Sequence, residues 1–237
     1  VVLRDELYRL STSDEYASQF QTTSQAFPDW CEWIPMEQAD LQLQAMSYGA
    51  LRLFNGCRVI HVPSYLQALW TECCRLNGSC EWKITKGTDK ETKRLLEEYD
   101  SVVYSAGSGL FSSGMLQSED DGFRVQLVRG QSLELEHSGI DKQQEKSSPA
   151  HALLFGKYIS PLPEPNRVLL GATHEFGDRV WSTDEVVDDL KQRAGDFIPA
   201  IRDTRVHKVT SGVRVQSERG ARGRLPIVGR LPNVNEW

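Results

Sequence analysis

The stretch from Arg124 to Glu136 (RVQLVRGQSLELE) constrains the fold more than any other, because its apolar and polar residues alternate along most of its length. A period of two puts successive side chains on opposite faces of a sheet, so this stretch reads as a long bent strand or a strand pair, with Gly130 marking a bulge. Strands need partners, and the sequence offers them. Leu153–Ser160 and Arg167–Thr173 read as strands joined across the proline-rich connection Pro161–Asn166, which fits a hairpin. Glu6–Leu10, Gly49–Phe54, Arg58–Val62 and Val206–Gln216 add further strand candidates, and Asn55-Gly56 is a tight-turn dipeptide between two of them.

Helical spacing appears elsewhere. Leu66, Leu69, Trp70, Cys73 and Leu76 recur at helical intervals behind Pro63, and Asn77-Gly78 stops the run. Asp184–Ala194 is an acidic amphipathic segment with Ser182-Thr183 as its cap and Gly195 as its stop. Ser13-Asp14-Glu15 opens a surface helix over 14–27, and Pro35 to Met46 can start a short one. Tyr99–Gly107 is a short apolar run ending in small residues, as in a buried parallel strand whose end opens on a ligand. Residues 137–150 form a polar loop. The expected class is α+β with an α/β component: a mostly antiparallel sheet over much of 116–215 and a parallel element near 100–107.

Composition removes several function classes. With 39% hydrophobic residues and a formal charge of −6, disorder is excluded as the main state. The net negative charge argues against nucleic acid as the main partner, since phosphate binding needs concentrated Lys and Arg. No run approaches the roughly 20 apolar residues of a membrane helix, and no targeting segment is visible, so the expectation is an intracellular protein, cytoplasmic or organellar. Five cysteines lack a zinc spacing and read as free thiols. No metal site is expected.

Several segments, in order, carry a resemblance to a known family. They are Asp100–Gly107 (DSVVYSAG); Val128–Gln131 (VRGQ); Tyr158–Pro163 (YISPLP) followed by Val168–Gly177 (VLLGATHEFG); and Gly212–Val215 (GVRV) followed by Leu225–Gly229 (LPIVG). The chain resembles the glycine oxidase and D-amino-acid oxidase-like family of FAD-dependent oxidoreductases, and the turn, strand and helix of 55–77 is similar to an element of that family's flavin domain. The family's GxGxxG turn is missing, as is the glycine-rich segment after its Leu-Pro-x-Val-Gly motif. The resemblance therefore implies the middle of a longer flavoenzyme, inactive as this partial chain. Its implied architecture is an incomplete FAD-binding, Rossmann-like domain (55–115 and 208–237) and a mostly antiparallel substrate domain (1–54 and 116–207).

The resemblance also implies roles. Arg214 would clamp a substrate carboxylate, for which a guanidinium has the matching planar fork. Tyr158 would wall the substrate pocket. Ala106, Gly107 and Ser108 would lie against FAD, where small residues let the backbone approach a flat ring. The substrate would be a small amine, an amino acid or an N-alkylated amino acid, oxidised at its C–N bond by hydride transfer to the flavin. Arg129 and Gln131 match a structural motif, and His174 and His61 read as packing or surface histidines, so no residue is assigned as catalytic. Two rival readings stay open: a flavin enzyme acting on a modified tRNA base, and a flavin-free structural or interaction module with the same substrate-domain fold. The oligomeric state is not legible.

Overall fold

The computed structural model describes residues 2–43, 45–77, 81, 83, 89–112, 125–136, 151–177, 179–217, 219, 223, 224, 228 and 229. In chain order its first half contains β1 (Val2–Arg4), β2 (Leu7–Leu10), α1 (Asp14–Ala26), β3 (Cys31–Ile34), α2 (Met36–Leu43), β4 (Ala50–Leu53), β5 (Val59–Ile60), α3 (Val62–Asn77), α4 (Asp89–Glu98) and α5 (Gly109–Ser112). The second half adds β6 (Val125–Glu136), β7 (Leu153–Leu154), β8 (Tyr158–Pro161), β9 (Arg167–Gly171), β10 (Glu175–Phe176), α6 (Thr183–Gly195), a 3-10 turn (Pro199–Asp203) and β11 (Arg205–Ser217). Two compact units form. The first holds Val1–Ser79, Gln131–Thr173 and Trp181–Ser211; the second holds Cys80–Gly130, His174–Val180 and Gly212–Trp237.

The first unit is built on a mixed sheet. Across it, Leu133 of β6 faces Leu170 of β9, Leu170 faces Ile159 of β8, Ile159 faces Leu153 of β7, and Leu153 faces Tyr8 of β2. Residues opposite one another share a face, so this row forms one continuous buried stripe. The β2–β7 pairing is parallel, and the other pairings along this row are antiparallel. Beyond β2 the sheet continues through β4 to β3, both antiparallel. Helix α6 closes the stripe with Val186, Leu190 and Ala194, all in the same core cluster. Its start is fixed by a capping box: the Glu185 N–H donates to Ser182 Oγ at 3.3 Å, and the Ser182 N–H donates to Glu185 Oε2 at 2.8 Å.

Local chemistry sets the turns. Asn55 and Gly56 both take positive φ (46° and 92°), as the expected tight turn after β4 requires. Gly49 (φ +111°) has no alternative residue: a Cβ there would fall 2.4 Å from the Trp33 ring.

The mixed α/β class agrees with expectation, but the parallel pairing is not where it was expected. Residues 101–106 form neither strand nor helix, and Val103 is 87% exposed. An extended segment becomes a strand only when a neighbour takes its N–H and C=O groups, and no strand among the described residues pairs with this one. Strand β3 was not anticipated from sequence, because Pro28 and Pro35 flank it closely; it forms because Cys31–Ile34 pairs residue for residue with Ala50–Leu53. The segment 137–150, the motif residues 225–227 and most of residues 81–85, whose sequence reads as a short strand, lie outside the described residues.

In the second unit, Val128 and Arg129 of β6 pair antiparallel with Phe176 and Glu175 of β10. Val128 and Glu175 are buried there.

Candidate functional site

Tyr158 sits at the start of β8, half-buried, on the face of the sheet opposite the core stripe. Its row is set by register: Tyr158 faces Gly171 on β9, and Gly171 faces Ser132 on β6. The strand between the two hydroxyl residues thus carries a glycine, and the tyrosine ring leans across it. A Cβ on Gly171 would lie 2.5 Å from Tyr158 Cζ and Oη and 2.5 Å from Ser132 Oγ. Over this gap Tyr158 Oη and Ser132 Oγ form a hydrogen bond of 3.1 Å. Ser132 itself is buried at 7% exposure, and its carbonyl accepts from Thr210 Oγ1 of β11 at 3.4 Å.

Two further contacts tie down the ends of these strands. Lys157 Nζ donates to the Ala172 carbonyl at 2.7 Å and lies 3.7 Å from Asp189 Oδ2 of α6. Burial pushes the Lys157 pKa down, while Asp189 works against that shift. Gln131, buried beside Ser132, exchanges backbone bonds with Thr173: its N–H donates to Thr173 Oγ1 at 2.8 Å and its carbonyl accepts from the Thr173 N–H at 2.9 Å. Sequence reasoning named Tyr158 but missed Ser132, Gly171 and Lys157. Ser132 and Gly171 join Tyr158 only through strand register, which no local motif announces, while Lys157 is its chain neighbour.

Arg214 lies on β11 in the second unit, in the alternation Val213, Arg214, Val215, with the arginine exposed and both valines half-buried. It makes no ion pair among the described residues. Nearby, with its side-chain amide turned so that the oxygen faces Arg224, Gln216 accepts from Arg224 Nη2 and Nε at 2.7 and 2.8 Å.

Ala106, Gly107 and Ser108, also in the second unit, form a turn into α5. The Gly109 N–H donates to the Ala106 carbonyl at 2.9 Å, and the Leu110 N–H to the Gly107 carbonyl at 3.2 Å. Gly107 has φ +53°, and nothing stands within 4 Å of where its Cβ would be. Ala106 and Gly107 are exposed. His174 stacks at 5.0 Å from Phe176, and His61 Nδ1 bonds Ser64 Oγ at 2.7 Å in the first turn of α3. Among the described residues no cluster of side chains is arranged to hold a metal ion, and no helix is long and apolar enough to cross a membrane.

Several solved structures have a similar fold. Glycine oxidase from Geobacillus kaustophilus superposes with a TM-score of 0.68 at 20% identity, covering 98% of this chain and 63% of that one. Iminodiacetate oxidase from Chelativorans superposes at 0.58 with 15% identity, over 90% of this chain and 60% of that one. L-α-glycerophosphate oxidase from Mycoplasma pneumoniae, solved with FAD bound, gives 0.59 and 13% identity, over 90% and 62%. This chain thus spans less than two thirds of the length of each. No curated protein sequence matches it. The family model for FAD-dependent oxidoreductases matches residues 3–236, and the chain belongs to that family.

Proposed function

We propose that this chain forms part of an enzyme that oxidises the C–N bond of a small amino acid or N-alkylated amino acid. The observation that carries the reading is the family match over residues 3–236, joined to an exposed arginine at 214 on β11. Neighbours named as glycine oxidase and iminodiacetate oxidase support an amine substrate that bears a carboxylate. The chemistry FAD supplies when bound is acceptance of a hydride from the carbon that carries the amine. Arg214 would hold the carboxylate in two parallel hydrogen bonds and so orient that carbon. Tyr158 would wall the substrate pocket and offer its phenol to a polar group. Ala106, Gly107 and Ser108 would hold the cofactor by backbone approach. The regions 55–115 and 208–237 would belong to the cofactor domain, and 1–54 with 116–207 to the substrate domain.

The test uses the full-length protein. Purified, it is expected to be yellow and to bleach anaerobically when glycine, sarcosine or iminodiacetate is added. A colourless protein would favour a flavin-free module. A yellow protein bleached by none of these amines would move the substrate elsewhere, a modified tRNA base included.

A further inference from the structure

We propose that Ser132 is a positioning residue that sets which way the Tyr158 hydroxyl donates, reaching it across the gap left by Gly171. This rests on the reading of Tyr158 as part of the substrate pocket. Three strands contribute one residue each to a single row: Ser132 on β6, Gly171 on β9, Tyr158 on β8. Neighbouring strands lie about 4.8 Å apart, so Ser132 and Tyr158 sit on strands separated by nearly ten. Only a long side chain lying flat over the middle strand closes that distance, and it can lie flat only where the middle residue has no Cβ. Gly171 meets that demand, since a Cβ there would strike both hydroxyl groups at 2.5 Å.

The 3.1 Å hydrogen bond then has a consequence for ligand choice. A phenol has one proton and can accept as well. If Tyr158 donates to Ser132, its proton is spent, and its oxygen can face only a donor. If Ser132 donates to Tyr158, the phenol proton stays available for an acceptor-only group. A carboxylate is such a group, and a phenol that donates to it makes the stronger, charge-assisted bond. With a carboxylate bound, Ser132 therefore donates to Oη and Tyr158 donates onward. In that state the pair presents a donor to an anionic oxygen, and Ser132 acts solely through Tyr158.

A double-mutant cycle on the flavin-loaded full-length protein tests this, with acetate as the probe and its dissociation constant read by calorimetry. Tyr158→Phe should weaken acetate roughly ten-fold, and Ser132→Ala about three- to ten-fold, the scale of one hydrogen bond. In the Tyr158→Phe background, Ser132→Ala should cost nothing more. Ser132→Thr, which keeps the hydroxyl, should restore binding. Equal losses from Ser132→Ala in both backgrounds would overturn the inference, since they mark a general structural effect. So would a weakened Tyr158→Phe variant alongside an unaffected Ser132→Ala variant. If Tyr158→Phe itself leaves acetate binding unchanged, the reading of Tyr158 falls, and the role of Ser132 falls with it.

Discussion

Helices α3 and α6 belong to the same unit and carry the same kind of apolar stripe, yet they meet different surroundings. In α6, Val186, Leu190 and Ala194 fall four residues apart and are all 0% exposed, packed on the core stripe of the sheet. In α3, Val62, Leu66, Leu69 and Leu76 also recur at helical spacing, and they stay 53%, 57%, 44% and 66% exposed. Periodicity therefore says which residues share a face, but not what covers that face. Coverage comes from the sheet, and the residues that place α6 on it are distant in sequence.

The comparison breaks most readily through the core. Leu190→Ala should cost about 2–5 kcal/mol of unfolding free energy, because it opens a cavity under the sheet. Leu66→Ala should stay within about 0.5 kcal/mol, as a surface change does. Urea denaturation of the two variants measures both. Comparable losses would mean that the α3 stripe is covered too.

A smaller loss should follow at the cap of α6. Ser182→Ala removes the acceptor for the Glu185 N–H and should cost about 1 kcal/mol in the same assay. A loss well below that would show that packing alone fixes where α6 begins.

Acidity should act on the other end of the sheet. At the start of β2, Glu6 accepts from Arg52 Nε at 2.8 Å and from Tyr8 Oη at 3.1 Å. Burial pushes the Glu6 pKa up, but these hydrogen bonds together outweigh it and hold the carboxyl below its usual 4.5. The same burial and the Glu6 charge push Tyr8 up to about 12. His151 packs edge-on against Tyr8 at 4.8 Å, and its Nδ1 is 4.0 Å from Glu6 Oε1, too far for a hydrogen bond. Its buried Nδ1 has no hydrogen-bond partner among the described residues. Burial lowers the His151 pKa from 6.5, and Arg4 and Arg52 add to this against the pull of Glu6.

The signs agree. The unfolded chain binds protons more readily than the folded one at both groups. Glu6 contributes stability that is present above pH 4.5 and lost as the pH falls through its lower folded value. Protonation of His151 favours unfolding as the pH drops below 6.5. Stability should rise with pH across this window, and His151→Phe should flatten its upper part. A thermal midpoint that stays level between pH 4 and 7 would contradict the assignment.

Legibility followed locality. The Ser182 cap and the Asn55-Gly56 turn are contained in a few neighbouring residues, and each formed as read, whereas α6 runs through the expected stop at Gly195 to a cap at Asp196. Strand β3 was hidden by its flanking prolines, since its pairing with Ala50–Leu53 is a long-range choice. The run 101–106 misled for the converse reason: its residues suit a strand, but a strand is a property of two segments. Tyr158 and Arg214 were named from motifs. Ser132 and Gly171 were not, because a partner 26 residues away becomes a neighbour only once the register of three strands is set.

The central functional claim is that the guanidinium at 214 grips a carboxylate. Its most direct test is the dissociation constant of acetate for flavin-loaded full-length protein, compared between the wild-type chain and Arg214→Lys. Losing the planar fork removes charge-assisted bonds of about 1.5–3 kcal/mol, so the affinity should fall about ten- to a hundred-fold. An unchanged dissociation constant would contradict the claim and remove Arg214 from the site.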